Sequence, residues 1–216
     1  MNAPKLDKRL RAVVNNIEGK VLADIGCDHG KVAITALLEG RVSSVIACDI
    51  SAKSLDKAVK LASELNVENI QFRCGDGLKP IADDEVDCVV VAGMGGREIT
   101  SILTNIPSGI KRFILVAQKN TVELRKFLCE KELTISKDFI VEQSDKFYDV
   151  IVAIADGKPS TLSEKELYCG KNSFENEDYV RYVAMLRKKS ERFKNLDDKS
   201  QAAREIDRAL ELSTED

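Results

Sequence analysis

The run Asp24-Ile25-Gly26-Cys27-Asp28-His29-Gly30 packs two glycines, two carboxylates and the only histidine of the chain into seven residues. Gly26 permits a tight turn and a close approach of backbone to a ligand. Gly30 lets a following helix start close to a sheet. Gly-x-Gly-x-x-Gly, which seats a pyrophosphate on a helix N-terminus, is absent, and a carboxylate at Asp28 would repel such a group. Three further runs carry chemistry: Cys48-Asp49-Ile50-Ser51, Gly75-Asp76-Gly77 and Ala92-Gly93-Met94-Gly95-Gly96. Asp49 lies about twenty residues past the first run, where a carboxylate can accept both hydroxyls of a ribose. Asp76 can accept from an adenine amino group. On its own Gly-Asp-Gly is common turn chemistry, but joined to the other acids it points to one ligand. S-adenosylmethionine has the ribose and the adenine, and its sulfonium and ammonium suit acidic surroundings. The residues expected to hold it are Asp24, Gly26, Cys27, Gly30, Asp49, Ile50, Gly75, Asp76, Gly77 and Gly93.

Each of these loops follows a short apolar run, and the runs alternate with segments of helical period. Strands are expected over 20–25, 45–48, 70–73, 86–92 and 112–116, and helices over 29–38, 54–65, 97–103 and 121–131. Ser51 suits the N-terminal cap of the second helix. A helix over 6–17, carrying Arg9, precedes them all. This βαβα order implies a mostly parallel sheet with helices on both faces, binding its ligand at the carboxyl ends of the strands. Two last strands, 135–142 and 147–155, have only Gln143 to Lys146 between them, too short for a parallel crossover, so they form a hairpin. The fold class is therefore α/β, with the seven-stranded, Rossmann-like sheet of class I methyltransferases. Asp156-Gly157-Lys158-Pro159-Ser160 breaks the pattern and divides a catalytic domain, residues 1–157, from a tail, 158–216. Apolar residues from Tyr179 to Leu210 recur at three- or four-residue steps, giving two helices packed as a hairpin or coiled-coil-like arm.

Composition narrows the setting. A net charge of −3 is a poor global footprint for a nucleic-acid binder, though a local patch can still bind one. Arg181, Arg187, Lys188, Lys189, Arg192 and Lys194 could form such a patch on one helix. With one histidine and no Cys-x-x-Cys pair among six cysteines, no metal site is expected, and the thiols read as buried and free. No apolar run approaches the ~20 residues of a membrane span. Met1 to Lys5 lacks the apolar core of a signal peptide, so a cytoplasmic protein is expected.

Together these runs resemble the bacterial tRNA (adenine-22-N1)-methyltransferases, the TrmK family. The likeness takes in Leu6-Asp7-Lys8-Arg9-Leu10, Ala23 to Gly30, Gly75 to Leu78 and Ala92 to Gly96, then Gln118-Lys119-Asn120 and Lys146-Phe147-Tyr148-Asp149. It covers the whole catalytic domain. That family usually has Gln-Pro-Asn at 118–120, Gly-Glu at 48–49 and Ala-Tyr-Leu at 30–32. The resemblance implies methyl transfer to N1 of a tRNA adenine and a helical tail. Adenine N1 has its own lone pair, so positioning does most of the work. No Asn/Asp-Pro-Pro-aromatic clamp follows Ala92, which argues against an exocyclic amine as the nucleophile. The product ring is cationic, and a carboxylate at the base edge would stabilise it. Asp28, His29 and Met94 are expected at the reacting centre. Asp28 could equally hold the ammonium of the cofactor, and His29 could cap the helix it begins. Arg9, Gln118, Asn120, Tyr148, Arg187 and Lys188 are expected to face tRNA; a solvated face is the alternative for the basic residues and a core position for Tyr148. The chain is expected to act as a monomer. Two other classes stay open: a methyltransferase for another RNA position, a small molecule or a protein, and an RNA-binding protein that kept only the fold.

Overall fold

The computed structural model describes residues 3–171 and 176–214. Five parallel strands, β1 (Val21–Ile25), β2 (Ser44–Asp49), β3 (Ile70–Cys74), β4 (Cys88–Met94) and β5 (Arg112–Ala117), are joined by β6 (Thr134–Gln143) and β7 (Lys146–Ile154). The order across the sheet is β3-β2-β1-β4-β5-β7-β6, with β7 antiparallel to both neighbours. Ser144 and Asp145 turn the final hairpin with φ of +52° and +59°, the left-handed pair whose twist matches that of the strands. Helices α1 (Lys8–Asn16), α2 (Lys31–Leu38) and α3 (Ala52–Glu64) cover one face; α4 (Gly96–Ile102) and α5 (Thr121–Glu130) cover the other. Because both faces are buried, β4 is apolar without alternation: Val89 and Val91 enter one core, Val90 the other. The chain leaves β1 toward β2 and leaves β4 toward β5, so a crevice opens between β1 and β4 at their carboxyl ends.

Most boundaries shift by one or two residues from expectation, and two of the shifts have plain local reasons. β4 starts at Cys88 because the carboxylate of Asp87 turns back to accept from Lys20 N (2.9 Å) and Val21 N (3.0 Å). α2 starts at Lys31 because Gly30 is left-handed, with φ of +65°.

Among the described residues the tail holds three helices where two were expected: α6 (Glu164–Cys169), α7 (Glu177–Asn195) and α8 (Gln201–Ser213). The extra one is announced by Ser163-x-x-Glu166, a capping box in which each residue accepts from the backbone N–H of the other. α7 and α8 form the hairpin, which folds back on the sheet edge. Tyr179 and Leu212 share a small core with Ile140 of β6. Asp178 accepts from Lys8 Nζ (2.6 Å) and Glu142 N (2.9 Å), which ties α7 to α1 and β6. The fully buried Arg125 of α5 donates to Asp138 Oδ2 (2.7 Å), to Asp149 and to the Leu167 carbonyl of α6 (3.0 Å).

Candidate active site

The crevice holds a cavity of about 890 Å³. Its first wall is the loop after β1, drawn over the end of β2 because Gly26 N and Cys27 N both donate to Cys48 O (2.8 and 3.0 Å). Gly26 has φ of +70°, and a Cβ there would stand 2.4 Å from Met94 Cε. Backbone and methionine thus meet across the cavity floor. Asp28 keeps φ of +48° at the position where methyltransferase loops usually carry glycine, a conformation aspartate tolerates. Its N–H donates to Asp49 Oδ2 (3.0 Å), while Ser51 N donates to Asp49 Oδ1 (2.8 Å). Both oxygens of Asp49 are therefore aimed by main chain.

Asp24 is only 3% exposed, and its Oδ2 accepts from Ala33 N (3.1 Å) in the first turn of α2. Burial pushes its carboxyl up to about 7; the Ala33 N–H opposes that shift and the charge of Asp49 adds to it. Such an acid gains from a cation beside it. Ile50, 72% exposed, lines the cavity with Gly75, Asp76 and Gly77. Asp76 accepts from Lys79 Nζ (2.6 Å). Burial pushes the Cys48 thiol up to about 11, and burial with the nearby charges of Asp24 and Asp49 pushes Cys27 higher still, so neither is an available nucleophile. A ribose-sized pair of acceptors, an exposed apolar face and a buried acid fit S-adenosylmethionine.

Gly30 lies outside this lining. A Cβ there would come within 2.9 Å of Ala58 Cβ, so the glycine brings α2 close to α3 rather than to the sheet. Gly30 is itself the N-cap of α2, and His29 does not cap that helix. His29 Nε2 instead stands 3.5 Å from Lys57 Nζ and 3.8 Å from Asp28 Oδ1, on the cavity wall.

A second cavity of about 640 Å³ adjoins the first, and Arg9, Gly93, Met94 and Glu98 line both. Gly95, Gln118, Lys119, Tyr148 and Lys189 complete its walls. The Arg9 guanidinium lies 5.0 Å from the centroid of the Tyr148 ring, and its buried Nε has no hydrogen-bond partner among the described residues. Tyr148 also packs on the core beneath α1, the alternative position for it, while lining the cleft. Among the glycines at and beyond the end of β4, a Cβ at Gly93 would face Arg9 Nη1 at 3.7 Å across the shared wall. A Cβ at Gly96 would stand 2.2 Å from Asn120 O, and one at Gly95 2.4 Å from Glu98 Oε2. Gly96 is thus required by packing against main chain, whereas at Gly95 a Cβ would meet only the flexible side chains of Glu98 and Lys119. Asn120, left-handed at the N-cap of α5, opens on a third cavity of about 480 Å³ against α7 and α8, which Gln118 also lines.

A methyltransferase domain family matches residues 6–151. A tRNA (adenine(22)-N(1))-methyltransferase of Bacillus subtilis (strain 168) is 33% identical over 175 residues, covering 79% of this chain and 74% of that one. The chain belongs to this family. Among solved structures, the M1A22 tRNA methyltransferase TrmK of B. subtilis matches with a TM-score of 0.77 at 28% identity, over 97% of this chain and 94% of that one. Sp1610 of Streptococcus pneumoniae, in complex with S-adenosyl-L-methionine, matches at 0.80 and 26%, over 96% and 97%. The likeness to both runs through the tail.

In a tRNA methyltransferase the placement of basic residues matters most. Arg187 and Lys188 are exposed on α7 and line none of these cavities, whereas Lys189 reaches the cleft. Successive helical residues point about 100° apart, so a basic run alone does not say which member faces inward. Glu98 was also missed. An acid in the first turn of a helix is ordinary macrodipole chemistry and carries no signal of a site. Among the described residues, no group of three or more His, Cys, Asp or Glu could hold a metal ion, and no helix is long and apolar enough to cross a membrane. All six cysteines are unpaired, and four of them are buried.

Proposed function

We propose that this chain transfers the methyl group of S-adenosylmethionine to N1 of adenine 22 in tRNA, the reaction named for its B. subtilis relative. The carrying observation is the wall that the acidic cavity shares with the cleft, formed by Arg9, Gly93, Met94 and Glu98. When bound, the cofactor supplies an electrophilic methyl group on sulfur. Asp49 accepts from the ribose, Asp76 from the adenine amine of the cofactor, and Ile50 covers the adenine face. Asp24 and Asp28 answer the ammonium; Asp28 lines the cofactor cavity alone, which favours that alternative over a role at the base. Met94 packs against Gly26 and excludes water from the line of transfer, with His29 on the outer wall.

On the cleft side, the Arg9 guanidinium, ion-paired among the described residues only with Asp7 (3.8 Å from Nη2), takes a phosphate of the target nucleotide, which enters flipped from its helix. Tyr148 is the platform for Arg9, and Gln118 lines the cleft with it. Lys189 adds a phosphate contact from the tail; Asn120, Arg187 and Lys188 serve neighbouring nucleotides. Residues 1–157 carry the chemistry and hold the target nucleotide, and 158–216 add further contacts to the RNA, in a monomer working in the cytoplasm. The test is to incubate the protein with labelled S-adenosylmethionine and unmodified tRNA and to map the label. We expect it on N1 of adenine 22. No incorporation into tRNA, with cofactor binding intact, overturns the reading.

A further inference from the structure

We propose that Glu98 recognises the target adenine, its carboxylate accepting a hydrogen bond from the exocyclic amine while N1 is methylated. This rests on the adenine-N1 reading and names the group that selects the base. Of the four residues common to the two cavities, Glu98 is the one acid. Asp28 lines the cofactor side alone. The Glu98 carboxylate lies over the loop after β4, where its Oε2 occupies space that a Cβ on Gly95 would need. Its ion-pair partner is Lys119, 3.8 Å away, and both side chains are more than half exposed. A pair this long and this solvated restrains its members weakly, so the carboxylate can turn to a base entering the cleft. Lys119 stands where the family usually has proline, so this pairing is a feature of this chain.

The chemistry favours a carboxylate at this place. As the N1–CH3 bond forms, the S–CH3 bond breaks and its electron pair stays on sulfur. One positive charge moves from sulfur to the adenine ring, where N1, C6 and the amine share it. The amine becomes a better donor, so its hydrogen bond to Glu98 strengthens on the way to the transition state. Guanine presents a carbonyl oxygen where adenine has the amine, and the carboxylate repels it.

The test compares wild type with Glu98→Gln on two synthetic tRNAs, one with adenine and one with purine at the target position. Purine keeps the ring and N1 but lacks the amine. Its lower nucleophilicity is common to both enzymes and cancels in the ratio. We expect Glu98→Gln to lower kcat on the adenine tRNA by about tenfold or more, with cofactor affinity by calorimetry unchanged. The purine penalty should be about tenfold larger for wild type than for the variant. An unchanged kcat, or equal purine penalties, overturns the role of Glu98 and leaves the adenine-N1 reading standing. A wild type that methylates no tRNA overturns that reading instead.

Discussion

The cofactor cavity and the cleft beside it are built in opposite ways. The cavity is made of main chain and short acids at the ends of four adjacent strands, and backbone N–H groups set its geometry: Ala33 holds Asp24, and Asp28 and Ser51 hold Asp49. The cleft is made of long side chains from distant segments, among them Arg9, Lys119, Tyr148 and Lys189. Among the described residues, Arg9 keeps a buried donor unmet and Lys119 pairs with Glu98 at 3.8 Å. A preformed site suits a small ligand that is the same in every turnover, because little ordering remains to be done on binding. Unmet cationic donors suit a large polyanion that brings its own acceptors and displaces counterions.

The largest expected effect lies where the cleft wall is fastened. Arg125→Met leaves Asp138 and Asp149 buried without their cation and frees the Leu167 carbonyl. Breaking one partner of such a buried cluster costs about 3–5 kcal/mol, read as a lower urea midpoint. A loss below about 1 kcal/mol would mean that the tail is held mainly by its apolar contacts. The same cluster makes truncation after Pro159 a poor test of RNA binding, because it exposes the catalytic domain where the tail covers it.

On the cofactor side the corresponding liability is Asp24, and its signature is a pH dependence. Its carboxyl is raised by burial to about 7 in the folded protein, against a reference near 3.9. Across that window the folded state holds a proton that the unfolded state has lost. Stability of the ligand-free protein therefore falls as pH rises from about 4 to about 7, by a few kcal/mol at most, and levels off above. Asp24→Asn should flatten that part of the profile and melt higher than wild type at pH 8. A variant profile parallel to wild type would place the dependence elsewhere.

Glycine substitutions separate the two regions further. Gly26→Ala forces alanine into a left-handed conformation, costing roughly 1 kcal/mol, and drives Met94 Cε from its place. We expect S-adenosylmethionine affinity to fall about tenfold, with part of the loss recovered by Met94→Ala, since the obstructing atom ends a flexible chain. Gly96→Ala meets the Asn120 carbonyl, which is main chain and cannot swing away. Its damage should appear as a raised KM for tRNA, with cofactor affinity kept. Equal loss of both affinities in either variant would merge the two regions into one.

The same contrast explains what was legible in the sequence. Asp24, Asp49 and Asp76 each follow an apolar strand, and the parallel sheet gathers strand ends at one edge, so local runs were enough to assemble the cavity. Even there, Gly30 was misread, because its neighbour is Ala58 of a helix packed beside it. The sheet and its hairpin were legible for the same reason: periodicity and turn length are local. The cleft was legible only in part. Arg9 and Tyr148 belong to different runs that meet through α1 and β7, and nothing in either run announces the 5.0 Å stacking. Glu98 and Lys189 sit among ordinary surface charges of helices, and only the placement of α4 and α7 sets them at the cleft. The tail was read as an arm because the small core of Ile140, Tyr179 and Leu212 spans three elements far apart in sequence.

A matched pair of substitutions tests the division with the smallest disturbance to the fold. Asp49→Ala removes two oxygens aimed into the cavity, and cofactor affinity by calorimetry should fall about tenfold or more, with tRNA binding retained. Arg9→Ala removes a cation from over Tyr148, and the KM for tRNA should rise about tenfold with cofactor affinity unchanged. If Arg9 grips a phosphate, the slope of log affinity against log salt should also shrink by about one. Arg9→Lys should recover the salt slope but little of the KM, since an ammonium keeps the charge and loses the planar fork that lies on the ring. An Arg9→Ala enzyme that loses cofactor affinity as much as tRNA affinity would show that the shared wall belongs to the cofactor, and the cleft would then need another anchor for its nucleotide.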